Sequence, residues 1–398
     1  MASPGYDIAP TFSPDGRIVA FIRATGTINQ DIYLVSSTGG KPQRLTYANQ
    51  PIGGAFSWTP YGKKILFSSY GGQESHGSLW RVPATGGMPE RLSFGGAEEA
   101  LEPTLSRQGS LLAYTQVQTN VNIWQLQLSR SHRPMHPPSK LIYSTRVQSA
   151  PQSSPDGKKI VFASDRLGST DIWVCNRDGS HPVQLTSLGT TGTPRWSPDG
   201  RQIVFDSPAS GTFGVYVVSV DGGAPRQVIV DSHHNAIPSW SKDGRWIYFV
   251  SDRDGTYQIW KIPPQGGQPI HVTRHGGVLA LESLDGKFLY YTDRWEPSGI
   301  WRTSPEGGKE TLVIKQPINM WYWAVGKDGV YFIDTDTKPH ATVKFWSFAT
   351  RQTTTVAALA KSAWPYDPAL SVSSDGRSLL YDQEDNVNND IMLVENFR

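Results

Sequence analysis

The sequence predicts an all-β chain assembled from repeated four-stranded units, and three observations carry that expectation. A hairpin signature recurs from end to end; its clearest copy is Pro194 to Phe205, Pro-Arg-Trp-Ser-Pro-Asp-Gly-Arg-Gln-Ile-Val-Phe. The copies end their turns in Gly16, Gly62, Gly109, Gly157, Gly200, Gly244, Gly286, Gly329 and Gly376, spaced 42 to 48 residues apart. Composition agrees, with 39 Gly and 29 Pro for turns, 14 Trp and 16 Tyr for strands, and no long Ala/Glu/Lys/Leu-rich stretch of helical period. A period of that length, with four short strands per unit, is the pattern of a β-propeller blade.

The turn has a mechanism. In Pro198-Asp199-Gly200 the proline presets φ, the aspartate bonds its own backbone and the glycine accepts a positive φ. Aromatic and β-branched residues lie on either side, Arg195-Trp196-Ser197 before it and Gln202 to Phe205 after it, so the stretch reads as a hairpin. Ser-Pro-Asp-Gly is kept at Ser13 to Gly16 and Ser154 to Gly157. It drifts to Ser241-Lys242-Asp243-Gly244 and Ser374-Asp375-Gly376, and loses its aspartate in Ser106-Arg107-Gln108-Gly109.

Nine repeats follow, at about 9–46, 54–93, 101–142, 149–186, 192–229, 236–273, 278–313, 321–357 and 368–398. They predict one propeller domain over 1–398 with nine blades, eight being the alternative. Repeat one shows the plan: Pro10 to Phe12, Ile18 to Phe21, Asp31 to Val35, and Gln43 to Thr46 after Gly39-Gly40. The third strand is the most regular, as Leu79-Trp80, Ile123-Trp124, Ile172-Trp173, Val215-Tyr216, Ile259-Trp260, Ile300-Trp301, Phe345-Trp346 and Ile391-Met392. One bulky residue per unit at one register suits the wide outer part of a wedge-shaped blade, where a ring fills the gap to the next sheet. First strands carry mostly small residues at the position of Thr11, as crowding near an axis demands.

Repeat three departs from the plan in Ser129 to Lys140, a Pro- and His-containing loop read as a solvated insertion. Repeat eight opens on Trp321-Tyr322-Trp323, which makes the best candidate for an exposed aromatic patch if the rings are not all packed. Repeat nine supplies a first strand (Leu370 to Ser373), a second (Ser378 to Asp382) and a third (Asp390 to Val394), so the last blade lacks its outer strand. The missing strand is expected upstream of Met1 in a longer parent chain, unless Ser3 to Ile8 pairs as an edge.

Net charge is +2, from 37 basic and 35 acidic residues, with no basic run, so no nucleic-acid footprint is expected in this chain. No apolar run reaches the length of a membrane helix, and Met1 to Pro10 lacks the layout of a secretion signal. The single cysteine, Cys175, sits in strand-like Trp173-Val174-Cys175-Asn176 and reads as core filler. Neither a Gly-x-Ser-x-Gly elbow nor a metal-ligand spacing is present, so no catalytic residue, metal or cofactor is expected. Ser164-Asp165-Arg166, Ser251-Asp252-Arg253 and Thr292-Asp293-Arg294 read as structural bonding at blade corners.

Ser-Pro-Asp-Gly-Arg/Lys, then Ile-Val-Phe, then Asp-Ile-Tyr/Trp, then Gly-Gly-x-Pro and Leu-Thr together resemble the TolB-type, WD-like β-propeller repeat, from Ala9 to Phe397. Leu141 to Thr186 and the ending Asp390 to Arg398 are similar to the carboxy-terminal propellers of bacterial winged-helix regulators. That resemblance implies a sensor or interaction module, part of a larger regulatory protein whose upstream part would decide between cytoplasm and periplasm. The expectation is a monomeric, non-enzymatic propeller that takes a protein partner or small ligand at a tunnel mouth. Candidate binding residues are Arg195, Glu282, His233 and His234, with Trp321, Tyr322 and Trp323. The alternatives are a propeller hydrolase or lyase in which Arg195, Glu282, His233 and His234 act together, and an isolated or engineered scaffold without native activity.

Overall fold

A computed structural model describes residues 6–24, 30–47, 52–69, 77–92, 99–337 and 340–397. Ser3 to Gly5 of the expected edge, Ser93 at the end of repeat two and Arg398 lie outside them. Among the described residues there is no helix, and the strands form eight sheets, seven of them four-stranded with their strands in sequence order. The all-β propeller architecture therefore stands. The single nine-bladed domain does not: the chain divides into two compact units, Met1–Thr119 with Asn386–Arg398, and Asn120–Asp385.

The correction has a local cause. Where repeats three and nine were expected to turn between their second and third strands, the chain runs straight on as Leu111–Gln127 and Ser378–Glu395. The stretches concerned, 116–122 and 383–389, hold no glycine or proline, whereas the corresponding loops elsewhere carry Gly168, Gly211 and Gly255 at φ of 102°, 97° and 84°. Without a residue to break the extended backbone, both strands continue. They then pair with each other, so repeats three and nine share one sheet.

The second unit is a ring of six blades. Blades I to V span 148–184, 192–227, 235–271, 280–318 and 323–358. Blade VI takes its inner strands, Leu370–Val372 and the first part of Ser378–Glu395, from the end of the chain. Its outer strands are the last part of Leu111–Gln127 and Ser139–Ile142. The last blade is thus completed by repeat three, not left short. Leu128 N–H donates to Arg377 C=O at 2.8 Å, and Gln125 Nε2 to Ser378 Oγ at 2.9 Å. The first strands of I to VI touch their neighbours in a closed cycle, VI returning to I.

Cores lie between neighbouring blades. Ile160, Phe162, Trp173 and Cys175 of blade I pack on Ile123, Ile142 and Leu380 of blade VI. The third-strand rings fill these layers in part: Trp173, Tyr216 and Trp260 are buried, Trp80, Trp124, Trp301 and Trp346 are half-buried, and Ile391 and Met392 are exposed, because repeat nine continues as one long strand there. Arg166 and Arg253 lie over Trp173 and Trp260 at 4.8 and 4.9 Å, while Asp165 and Asp252 accept the Val147 and His234 amides. Those Asp-Arg pairs are structural; the third pair differs, the exposed Arg294 bridging the adjacent, largely buried Asp293.

In the first unit two complete sheets, Tyr6–Phe12 to Gln43–Arg44 and Ile52–Trp58 to Glu90–Arg91, enclose Ile22, Ile32, Phe56, Trp58, Ile65 and Phe67. Glu99–Leu105 pairs with the first part of Leu111–Gln127, and Phe397 N–H donates to Ser110 C=O at 3.0 Å.

The hairpin turns repeat one network. Ser197 Oγ donates to Asp199 Oδ1 at 2.6 Å, Arg201 N–H donates to the same oxygen, and Gln202 N–H donates to Ser197 Oγ. The serine hydroxyl, then the backbone amide, hold the Asp199 carboxyl below its ordinary range. Gly200 sits at φ +70°, with room for a Cβ 3.7 Å from Pro155 Cδ. Gly200→Ala is therefore expected to fold and to cost about 1–2 kcal/mol through backbone strain alone, read as a lower urea midpoint at unchanged slope.

Candidate axial binding site

First strands in this ring run from one end of the axis to the hairpin-turn end, and second strands run back, since each pair is antiparallel. At the turn end a cavity of about 270 Å³ is lined by residues from the first strands of all six blades. Its charged residues are Arg195, Lys242 and Glu282, and Trp196 and Trp240 supply aromatic surface.

Register explains why these side chains meet. In blades I to III the first strand carries a bulge, between Ser149 and Gln152, Gly192 and Arg195, and Ala236 and Ser239. Ala150, Thr193 and Ile237 there take φ of 52°, 46° and 52°. A bulge re-aims the residues after it, and Arg195 follows directly.

Arg195 is 5% exposed and donates from Nη1 to its neighbour's carbonyl, Pro194 O, at 2.9 Å. Burial draws its guanidinium down to about 10, against the attraction of Asp206, Asp367 and Asp382. Glu282, also buried, accepts the Lys242 backbone N–H and, at 3.4 Å, the Tyr248 hydroxyl. Desolvation raises its carboxyl despite those donors. Lys242 is an exposed residue at the cavity rim, and desolvation draws its ammonium down, opposed by Glu282. Ser371 Oγ is buried there without a hydrogen-bond partner. The wall thus presents weakly solvated groups of both signs, which favours a ligand carrying complementary polar ends.

Of the residues expected from sequence, Arg195 and Glu282 come together. His233 and His234 do not join them: they precede the first strand of blade III, at its other end, and neither lines the cavity. His234 packs between Phe213 and Tyr257, centroids 4.9 and 5.6 Å away, and burial lowers its imidazole. The aromatic patch is also corrected. Trp323 is 1% exposed, Tyr322 is buried with its hydroxyl on Ala363 O at 3.0 Å, and Trp321 is half-buried against both neighbouring cores. Blade V presses these rings inward because each side of its first strand faces another blade. The insertion 129–140 is not wholly a solvated loop: Ser139 and Lys140 belong to the outer strand of blade VI, Met135 N–H donates to Gln127 C=O at 2.9 Å, and His132 Nδ1 lies 2.6 Å from the Tyr331 hydroxyl with its ring stacked on Phe345 at 4.0 Å. Cys175 is buried and its thiol pushed up to about 12 by desolvation, which suits a core residue.

Sequence reasoning missed Asp206, Asp367 and Asp382. Asp206 and Asp382 occupy the same place in their second strands, where the other blades have Ala163, Val250, Thr292 and Ile333. That contrast was readable in the repeat alignment. Among the described residues no group of three or more His, Cys, Asp or Glu has the geometry to hold a metal ion.

A family model described as the TolB beta propeller domain matches residues 1–188 and 183–320. Among solved structures, TolB from Acinetobacter baumannii is 18% identical with a TM-score of 0.37, over 76% of this chain and 61% of that one. The match therefore spans less than two thirds of that protein. A chain of a nidogen/laminin complex is 12% identical with a TM-score of 0.50, over 68% of this chain and 98% of that one. A puromycin-hydrolyzing peptidase of Mycobacterium tuberculosis is 16% identical with a TM-score of 0.45, over 90% and 53%. With the family model matched over most of its length and blades of the expected kind in place, this chain belongs to the TolB beta propeller domain family.

Proposed function

We propose that the six-bladed unit is a non-enzymatic recognition module that takes a small ligand, or the tip of a protein partner, in its axial cavity. One observation supports this above the rest: six separate strands converge on a cavity of about 270 Å³ that holds Arg195, Lys242 and Glu282 together. A single pocket reached from six blades reads a ligand from all sides, and buried polar groups reject ligands that leave them unpaired. Sensing within a larger regulatory protein, as the likeness to winged-helix regulators implies, is part of the same proposal. The hydrolase or lyase alternative drew on His233 and His234 beside Arg195 and Glu282, and neither histidine lines this cavity.

Trp196 and Trp240 report on occupancy directly. Metabolites and short peptides screened by tryptophan emission are expected to yield ligands whose affinity falls about tenfold or more in Glu282→Gln, since a hydrogen bond to a charged group contributes about 1.5–3 kcal/mol. Ligands indifferent to both Glu282→Gln and Lys242→Met would refute the cavity assignment. Chemical conversion of such a ligand would refute the non-enzymatic one.

A further inference from the structure

At the end of the axis away from the hairpin turns, three carboxylates gather around one arginine. Asp206 pairs in register with Gly192, the first residue of its blade's inner strand, and Asp382 holds the equivalent place in blade VI. Asp367 comes from the loop that leads into blade VI. Asp206 is 4% exposed, Asp382 is fully buried and Asp367 is partly exposed, which leaves an approach through Asp367.

Each carboxylate is anchored by one oxygen. Ile237 N–H donates to Asp206 Oδ2 at 2.6 Å and Ala150 N–H to Asp382 Oδ2 at 3.1 Å, both from bulge residues of the next blade. Ser149 Oγ donates to Asp367 Oδ2 at 2.7 Å. Asp382 Oδ1 is buried without a hydrogen-bond partner. Asp206 Oδ1 and Asp367 Oδ1 flank the space a side chain at 192 would take, 2.9 and 4.0 Å from a Cβ there. Glycine at 192 lets Asp206 come this close to the backbone.

One cation faces three acidic groups: Arg195 attracts Asp206, Asp367 and Asp382. Desolvation raises Asp206, Asp367 and Asp382, and Asp367 raises the other two further, so the apo cluster stands at a cost. Apart from holding the Ile237 and Ala150 amides, the carboxyls are not demanded by the blade, because four sister blades build the same corner with Ala163, Val250, Thr292 and Ile333. A local rule broken twice around one space marks a site for something else.

We propose that Asp206, Asp367 and Asp382 form a receptor for one ammonium or guanidinium group, from a free amine or from a lysine or arginine side chain of a partner. A cation there would donate charge-assisted hydrogen bonds to the unpartnered Asp382 Oδ1 and to the neighbouring carboxyl oxygens, offsetting the excess negative charge. The entry segment suits such a guest: it carries Trp364 and the exposed Tyr366, ring centroids 4.8 Å apart, and aromatic faces attract cations. This site lies beyond the cavity reading, sharing only Arg195 with it, so either can fail alone.

The test is NMR titration of the whole chain at pH 7.5 with n-butylammonium chloride and with N-acetyl-Gly-Lys-Gly amide, the norleucine peptide serving as neutral control. At least one ammonium probe is expected to saturate, and to bind at least about tenfold more weakly to Asp367→Asn and Asp382→Asn. Both variants remove a buried charge and so remain folded. Butylammonium binding without peptide binding assigns the site to free amines, and peptide binding to a partner's side chain. Failure of both probes to saturate, equal binding by the variants, equal binding of the norleucine peptide, or Asp-dependent binding of Ca²⁺ or Mg²⁺ without amine binding would each overturn the proposal.

Discussion

Ending the chain after Ala369 is expected to abolish cooperative folding of the six-bladed unit. The cut removes the two inner strands of blade VI and with them Leu370, Leu379, Leu380 and Tyr381, each no more than 2% exposed. At about 1.5–3 kcal/mol per large buried apolar side chain, those four alone contribute about 6–12 kcal/mol. That is comparable with the whole stability of an ordinary domain, about 5–15 kcal/mol. Leu126 and Leu128, now at the ring's open edge, would face water, and blade I would lose the amide acceptor that Asp382 gives Ala150. Circular dichroism should show a broad, early melt. A separate 370–398 peptide should restore the sharp transition, because the strands it supplies pair by backbone hydrogen bonds and need no covalent join. A truncated chain melting with the parent would refute ring closure through blade VI.

Asp206→Asn is expected to stabilise the protein at neutral pH and to do nothing in acid. Burial first, and the nearby Asp367 next, lift the folded carboxyl to about 6 from its ordinary 3.8. The folded state therefore holds its proton more tightly than the unfolded state. Between those two values stability falls as pH rises, and above about pH 6 the full cost is present. A difference of about two units is about 3 kcal/mol. Asparagine keeps an acceptor for Ile237 N–H and carries no charge, so the variant should melt several degrees higher at pH 7.5 and match the parent near pH 4. The charged groups acting on Asp206 are Asp367 and Arg195, and titration of Asp367 broadens the transition. A gain of equal size at both pH values would show that the charge is not what costs stability.

Much of this was legible in the chain. The Ser-x-Asp-Gly turns and two of the three Asp-Arg corners act as their residue types require, since each depends on neighbours a few positions away. The convergence of Arg195 and Glu282 was legible because first strands of a propeller must line its axis. The histidines misled because a loop residue's distance from the axis depends on where the strand begins, and Trp321 to Trp323 misled because burial of a strand by adjacent blades leaves no mark in its own residues.

By itself, the sequence determined the all-β class, the blade as the unit and the family, because hairpins and alternating strands arise from local backbone preference and short-range side-chain bonding. It also held, unread, the missing glycines at 116–122 and 383–389 and the two aspartates that replace apolar residues. Only the tertiary structure decided that nine repeats become two units, that repeats three and nine merge, and that Asp206, Asp367 and Asp382 share one space. Pairing between strands more than 250 residues apart depends on which edges are left free once every other blade has formed, and no local stretch encodes that.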